Sequence, residues 1–226
     1  MEENHRLVGK LIYLTHTRHE LCYSVHVLAQ FMQNPTHSQW KAALRVVRYL
    51  KNCPGQGIFL RAGLPMTLEA YCDTNWASYS ISRRSLTAYV IFLGGLPISW
   101  KTKKQATVSR SSTEAEYRAM ASTTCEILWL KGLLTSLGFE HTKSVPLHCD
   151  SQAALHIANN PVFHECTKHI EIDCHFVRNE ITRGTIAPVK VHTSSQLADI
   201  LTKALGRQQF QSLLRKFGIS NLHAPT

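Results

Sequence analysis

Acidic residues are scarce in this chain of 226 residues: 15 Asp and Glu stand against 25 Lys and Arg, a formal net charge of +10 at pH 7. That deficit excludes an acidic solvating segment and points to a polyanionic partner, because each phosphate neutralised by a protein cation releases counterions. Long apolar runs are also missing. No window approaches the roughly 18 apolar residues that a membrane-spanning helix requires, and the opening Met1-Glu-Glu-Asn-His5 is acidic where a secretory signal is basic. Both absences lead us to expect a soluble, intracellular protein with no membrane partner. Paired cysteines are lacking too: Cys22, Cys53, Cys72, Cys125, Cys149, Cys166 and Cys174 are odd in number and scattered among apolar residues, unlike a disulfide framework. Cys166, His169, Cys174 and His175 do not have the paired spacing of zinc modules, and we read the cysteines as buried thiols. Nothing repeats and nothing is low in complexity.

What is present is ordinary for a globular chain, with 44% hydrophobic and 18% charged residues, and the length suits one domain or one domain with an appendage. The spacing predicts helices over 6–14, 20–32 and 38–50. In the third, Trp40, Leu44, Val47 and Leu50 share a face while Lys41, Arg45, Arg48 and Lys51 carry charge elsewhere. The Asn34-Pro35 step separates the second helix from the third, and the turn-rich Asn52-Cys-Pro-Gly-Gln-Gly57 closes this helical segment. We therefore divide the chain into a helical segment, 1–57, and a second domain, 58–226.

From Ile58 the period changes. Leu68–Asp73, Leu86–Phe92 and Pro97–Lys101 read as strands, with Gly94-Gly95 as a hairpin turn. Ser111 and Ser112 open a long helix that stops at Gly138. A strand over 145–149, helices over 151–159 and 169–182, a strand over 185–192 and a helix around 197–204 follow, and the tail 221–226 is polar. Three strands in a meander, then strands reached by crossover helices, predict an α/β (mixed α+β) fold with a mixed sheet flanked by helices.

Asp73 and Asp150 stand at the ends of apolar strand patterns and Asp199 lies in the first turn of a helix that follows a strand, where α/β folds aim side chains into a crevice. Alone, Asp150 or Asp199 reads better as a helix cap or a partner of the helix dipole. In Ser111-Ser-Thr-Glu-Ala-Glu116, Glu114 and Glu116 both fit a capping box, one with Ser111 and one with Thr113, and only one can serve at a time. If the acids converge, their mutual repulsion calls for cations, and hard oxygen ligands suit Mg²⁺ or Mn²⁺. Two such ions, held roughly 3.5–4 Å apart, would activate water and stabilise a leaving oxygen.

The strings Tyr71-Cys-Asp-Thr-Asn-Trp-Ala77, Ser82-Arg-Arg-Ser85, Phe92-Leu-Gly-Gly95, Ile98-Ser-Trp-Lys101 and Lys103-Lys-Gln105 carry a resemblance. So do Ser111-Ser-Thr-Glu-Ala-Glu-Tyr-Arg-Ala119, Cys149-Asp-Ser-Gln-Ala-Ala154, Thr167-Lys-His-Ile-Glu-Ile172 and Gln196-Leu-Ala-Asp-Ile-Leu-Thr-Lys203. In this order they resemble the ribonuclease H region of copia-type retrotransposon polyproteins. Arg6–Leu14 and Ala42–Lys51 resemble the segment that links polymerase to nuclease there. The polymerase palm, with its paired aspartates, is not in the sequence. The resemblance implies a ribonuclease H-like fold with a five-stranded mixed sheet, and hydrolysis of the RNA strand of an RNA/DNA hybrid by two metal ions. Asp73, Glu116, Asp150 and Asp199 match the four acids, Glu116 being preferred to Glu114 because an apolar residue and, two further on, alanine follow it.

His192 stands about where related nucleases carry a histidine that aids proton transfer or product release. Arg83, Arg84, Lys103 and Lys104 flank the strands next to Asp73 and are candidates for phosphate contact, as are Lys168 and His169. The implied partners are the hybrid and a reverse transcriptase polymerase domain, and the implied location is a cytoplasmic particle or the nucleus. Ser78-Tyr-Ser-Ile81, Thr87-Ala88 and Arg18-His-Glu20 depart from the family's usual text but spare the four acids. Two alternatives share these features: a catalytically decayed or host-retained binding module of the same fold, and a related two-metal nuclease such as an integrase or resolvase core. The helical glutamate and the Leu-Ala-Asp-Ile ending favour ribonuclease H.

Overall fold

The computed structural model describes residues 2–160 and 170–221. Its first helices follow from apolar spacing. Helix α1 (Glu2–Leu14) turns Val8 and Leu11 inward, α2 (Cys22–Ala29) turns Val25 and Leu28, and α3 (His37–Asn52) turns Ala43 and Val46; these side chains share one small core. Thr36 caps α3, its amide donating to Gln39 Oε1 at 2.9 Å. The helix expected over 20–32 is shorter, because His19–Leu21 forms a 3₁₀ turn and α2 stops at Ala29. The buried Arg18–Glu20 ion pair (2.6 Å) forms across the start of that turn, where Arg18 has the non-helical backbone of its N-cap. The short strand β1 (Gln56–Ile58) runs through the end of the stretch read as turn alone.

The alternating segments form a meander. Strands β2 (Leu68–Asn75), β3 (Leu86–Leu93) and β4 (Leu96–Lys104) pair antiparallel, with Asp73 opposite Ala88 and Thr87 opposite Lys103. Gly94 and Gly95 turn the last hairpin with positive φ. A side chain at Gly94 would stand 2.7 Å from the Pro65 carbonyl oxygen, so this position needs glycine on two counts. Helix α4 (Ser112–Ser136) crosses back so that β5 (Val145–Cys149) lies parallel to β2. Helices α5 (Gln152–Asn159) and α6 (Glu171–Thr182) carry the chain to β6 (Ile186–Lys190), parallel to β5.

The strand order is β4-β3-β2-β5-β6. Side chains of α4, α5 and α6, among them Tyr117, Ile127, Leu155 and Val177, close the main core over Ala70, Cys72, Ile91, Leu147 and Cys149 of the sheet. The single turn α7 (Asp199–Thr202) lies against β2, β3 and β4. A three-stranded meander followed by two parallel strands with helical crossovers is a ribonuclease H-like fold, the mixed five-stranded sheet expected from the sequence. Two boundaries differ from expectation. The strand over 185–192 stops at Lys190 because His192 leaves the ladder to cap a 3₁₀ turn, and the helix around 197–204 is reduced to α7.

By compactness, the chain up to Arg61 and from Lys203 onward forms one unit and Ala62–Thr202 the other. To the first belong α8 (Arg207–Lys216) and β7 (Ile219–Asn221), which the sequence reading did not anticipate. Strand β7 pairs antiparallel with β1, Gln56 opposite Asn221, and Phe217 contacts His19 with ring centroids 5.6 Å apart. Among the described residues no helix is long and apolar enough to cross a membrane. Cys166, Lys168, His169 and the tail after Asn221 lie outside the described residues.

Candidate active site

Strand alternation decides where Asp73 points. Its neighbours Ala70 and Cys72 serve the main core, and Asp73 takes the opposite phase from Cys72 while remaining fully buried. There its Oδ2 accepts a hydrogen bond from the Thr202 hydroxyl of α7. Asp150 follows β5 directly, and because β5 runs parallel to β2 both acids emerge toward the same edge of the sheet. Thr193 Oγ1 donates to Asp150 Oδ2 at 3.2 Å, and the Lys190 ammonium donates to the Asp150 carbonyl. Asp199, 1% exposed, is the first residue of α7.

The loop before Asp199 is pinned by Gln196, wholly buried. Its Nε2 donates to the Cys72 carbonyl at 2.9 Å, and its Oε1 accepts the Ala198 amide at 3.2 Å. Asp73, Asp150 and Asp199 thus converge, each offering a carboxylate oxygen and all three within 4.8 Å of one another.

Two glutamates competed for one cap, and the fold gives them different tasks. Ser111 caps α4 by accepting the Glu114 amide at 3.1 Å. Glu114 then binds the Arg110 amide at 2.7 Å and the Arg118 guanidinium at 2.9 Å. Glu116 lies two residues on, about 200° around the helix, and is also buried. One of its oxygens, the Cys149 sulfur and an Asp150 oxygen lie within 4.8 Å of one another. Asp150 therefore links Glu116 to the aspartate group.

A buried polar network joins this helix start to the sheet. Gln105 Nε2 donates to Thr87 Oγ1 at 2.8 Å and to the Ala115 carbonyl at 3.0 Å, while its Oε1 accepts from Ser109 Oγ at 2.7 Å. Thr74 Oγ1 donates to the same Ala115 carbonyl at 3.1 Å, and Trp76 Nε1 to the Ser109 carbonyl at 3.1 Å. The residues flanking Asp73 and Glu116 are thereby fixed to one another through hydrogen bonds.

His192 is exposed and caps the turn Thr193–Ser195. Its Nδ1 accepts the Ser194 amide at 3.3 Å, so the neutral ring carries its hydrogen on Nε2. Its neighbour Thr193 is the one that touches Asp150. Lys103 and Lys104 lie within β4 rather than beyond it, and the Lys104 ammonium sits 4.7 Å over the Tyr79 ring. Tyr79 in turn receives the Arg83 amide at 2.7 Å on its carbonyl and gives its own amide to the Arg84 carbonyl at 3.2 Å. Arg83 is held at φ +51°, a left-handed conformation that an L residue adopts at some cost. The loop between β2 and β3 and the end of β4 accordingly gather Arg83, Arg84, Lys103 and Lys104 on adjoining segments.

Carboxylates packed this closely repel unless a cation lies among them, and their oxygens are the hard donors that Mg²⁺ or Mn²⁺ accept. The donor set fits such an ion. Beside them the Cys72 thiol is held well above its ordinary range, first by its hydrogen bond with the Cys149 thiol, then by burial and the charges of Cys149, Glu116 and Asp73. Cys72 therefore stays protonated, whereas the Cys149 thiol, the sulfur that lies with Glu116 and Asp150, is shifted below its ordinary range, first by that same hydrogen bond.

Comparison with known proteins bears on the family. The retrovirus-related Pol polyprotein from transposon RE2 of Arabidopsis thaliana is 46% identical over 213 residues, 94% of this chain and 15% of the relative. That from transposon TNT 1-94 of Nicotiana tabacum is 35% identical over 205 residues, 90% of this chain and 15% of the relative. This chain belongs to the Pol polyprotein family of retrotransposons. As a Pol segment it spans about 15% of the length of those curated relatives, and the resemblance read from its motifs holds. No protein-family model matches it. Among solved structures, LC11-RNase H1 isolated from compost aligns with a TM-score of 0.47 at 13% identity, covering 66% of this chain and 99% of that one.

Three residues of this Pol segment escaped the sequence reading although they touch the acids or the strand that bears them: Gln196, Thr193 and Thr202. Gln196 and Thr202 stand in a motif quoted for the resemblance, but a single polar residue beside an acid signals nothing until tertiary contacts give it a partner. Gln105 escaped for the same reason.

Proposed function

We propose that this Pol segment is a ribonuclease H, a metal-dependent endonuclease that hydrolyses the RNA strand of an RNA/DNA hybrid. The observation that carries the reading is the convergence of Asp73, Asp150 and Asp199 within 4.8 Å, on a chain whose net charge is +10. An acidic point on a basic protein suits a phosphodiester substrate: the surface gathers the backbone and the acids hold what neutralises its reacting phosphate.

Asp73, Asp150 and Asp199, with Glu116 reached through Asp150, would hold two Mg²⁺ or Mn²⁺ ions. Bound there, such ions supply Lewis acidity to the phosphate and lower the pKa of a water nucleophile. The chain's own residues do the rest. The Thr193 hydroxyl and the Lys190 ammonium orient Asp150, and Gln196 ties the loop before Asp199 to β2. His192, once protonated to the imidazolium, gives a proton to the departing oxygen and returns to the neutral ring, or assists product release. Arg83, Arg84, Lys103 and Lys104 contact backbone phosphates, as do Lys168 and His169, and the RNA strand is told from the DNA strand by its 2′-hydroxyls. In the polyprotein the partner is a reverse transcriptase polymerase domain, with residues 1–57 as the connection to it.

The test is cleavage of labelled RNA/DNA hybrid, duplex DNA and duplex RNA by the purified chain, with Mg²⁺ and with EDTA, alongside Asp73→Asn. Hybrid-only cleavage that disappears with EDTA and with Asp73→Asn supports the reading. Binding without cleavage at any metal concentration assigns the chain to a non-catalytic binding module instead.

A further inference from the structure

Helix α7 is only four residues long, Asp199–Thr202, yet both its ends engage the candidate site. Asp199 opens it and joins the aspartate group. Thr202 closes it, wholly buried, and its hydroxyl donates to Asp73 Oδ2. A spacing of three places both residues on one helix face. The last carbonyls of the turn, which a free helix would leave to water, are taken by the sheet. Thr102 Oγ1 of β4 donates to the Leu201 carbonyl at 3.2 Å, and Asn75 Nδ2 of β2 donates to the Thr202 carbonyl at 3.1 Å. Thr202 is therefore held from β2 through its carbonyl while it holds Asp73 of the same strand through its hydroxyl.

We infer that Thr202 is a positioning residue for the metal site: its hydroxyl fixes the Asp73 carboxylate by donating to Oδ2, so that Asp73 and Asp199 are set by one and the same helical turn. The inference rests on the reading of Asp73 as a metal ligand. A carboxylate buried without such a donor can rotate about its last torsion, and a ligand oxygen must be held closely for a divalent ion to be bound at full strength. Partners of metal ligands typically contribute about 10- to 100-fold to metal affinity or activity. The Thr202 hydroxyl belongs in that range, because its acceptor is charged and shielded from water.

The experiment compares Thr202→Val, which keeps the shape and removes the donor, with Thr202→Ser, which keeps the donor. Calorimetric titration of the full chain with Mn²⁺, together with kcat and KM on RNA/DNA hybrid, gives the readout. Thr202→Val is expected to weaken Mn²⁺ binding and lower kcat by about 10- to 100-fold, with KM for hybrid little changed. Thr202→Ser is expected to stay within a few-fold of the parent. If Thr202→Val folds poorly, Thr202→Ala against Thr202→Ser makes the same comparison. Equal Mn²⁺ affinity and kcat in Val, Ser and parent chains would overturn the inference while leaving the nuclease reading intact. Failure of the parent chain both to bind Mn²⁺ and to cleave hybrid would overturn the reading itself, and this inference with it.

Discussion

Replacing Gln105 by Leu removes one buried amide and leaves an apolar side chain of similar reach, so its effect can be worked from the hydrogen bonds alone. Three are lost: Nε2 to Thr87 Oγ1, Nε2 to the Ala115 carbonyl, and Ser109 Oγ to Oε1. At about 1 kcal/mol each the sum is about 3 kcal/mol. The Ala115 carbonyl keeps the Thr74 hydroxyl, whereas Ser109, 2% exposed, loses an acceptor that no water can easily replace. The expected loss is therefore about 2–4 kcal/mol, read by urea unfolding followed through tryptophan fluorescence and as a fall in Tm of roughly 10 °C. Hydrogen exchange of the first-turn amides of α4 should quicken with it, since this network ties that turn to β2 and β3. Cleavage should fall too, because Glu116 rides on the same turn. A loss below about 1 kcal/mol with unchanged exchange in α4 would refute the network's role.

Glu116→Gln should abolish Mn²⁺-dependent cleavage of hybrid, whereas Glu114→Gln should keep it within a few-fold and lower stability by about 1 kcal/mol, the value of a cap; equal effects on cleavage would reverse the assignment. Leu147→Ala, in the main core with no exposure, should destabilise by about 2–5 kcal/mol in urea unfolding. His19 is 1% exposed, and burial, then the Arg18 charge, lower its pKa from 6.5 to about 4. The folded chain thus binds that proton less readily than the unfolded chain. Its contribution is complete above about pH 6.5 and is lost as the pH falls toward 4, about 3 kcal/mol in all, offset in part by Glu20, whose pKa burial raises. Stability measured between pH 7 and pH 4 should fall less steeply in His19→Gln, and an unchanged slope would count against it.

The sheet was legible because its strands alternate or run apolar between clear turns: Gly94-Gly95 marked the hairpin, and Ser111 marked the start of α4. The acids were legible by their placement at strand and helix ends, and the resemblance then chose among them. Strands β1 and β7 were not, since three residues carry no measurable period and each gains strand character only from the other. Helix α8 leaves a trace in Phe210, Leu213, Leu214 and Phe217, spaced as one helical face. The strand expected to reach His192 was overextended because Val191-His192 fits a strand by composition, while the Ser194 amide draws the imidazole into a cap. Thr202, Gln196 and Gln105 act across separations of up to 129 residues, and no local pattern records such a partner.

Asp73, Asp150, Asp199 and Glu116 together are expected to grip divalent cations. Anomalous diffraction from crystals grown with Mn²⁺ tests it without recourse to activity. Two manganese peaks bounded by oxygens of these four acids, both lost or reduced to one in Asp73→Asn, are the expected result; no peak among Asp73, Asp150 and Asp199 at millimolar Mn²⁺ would contradict it.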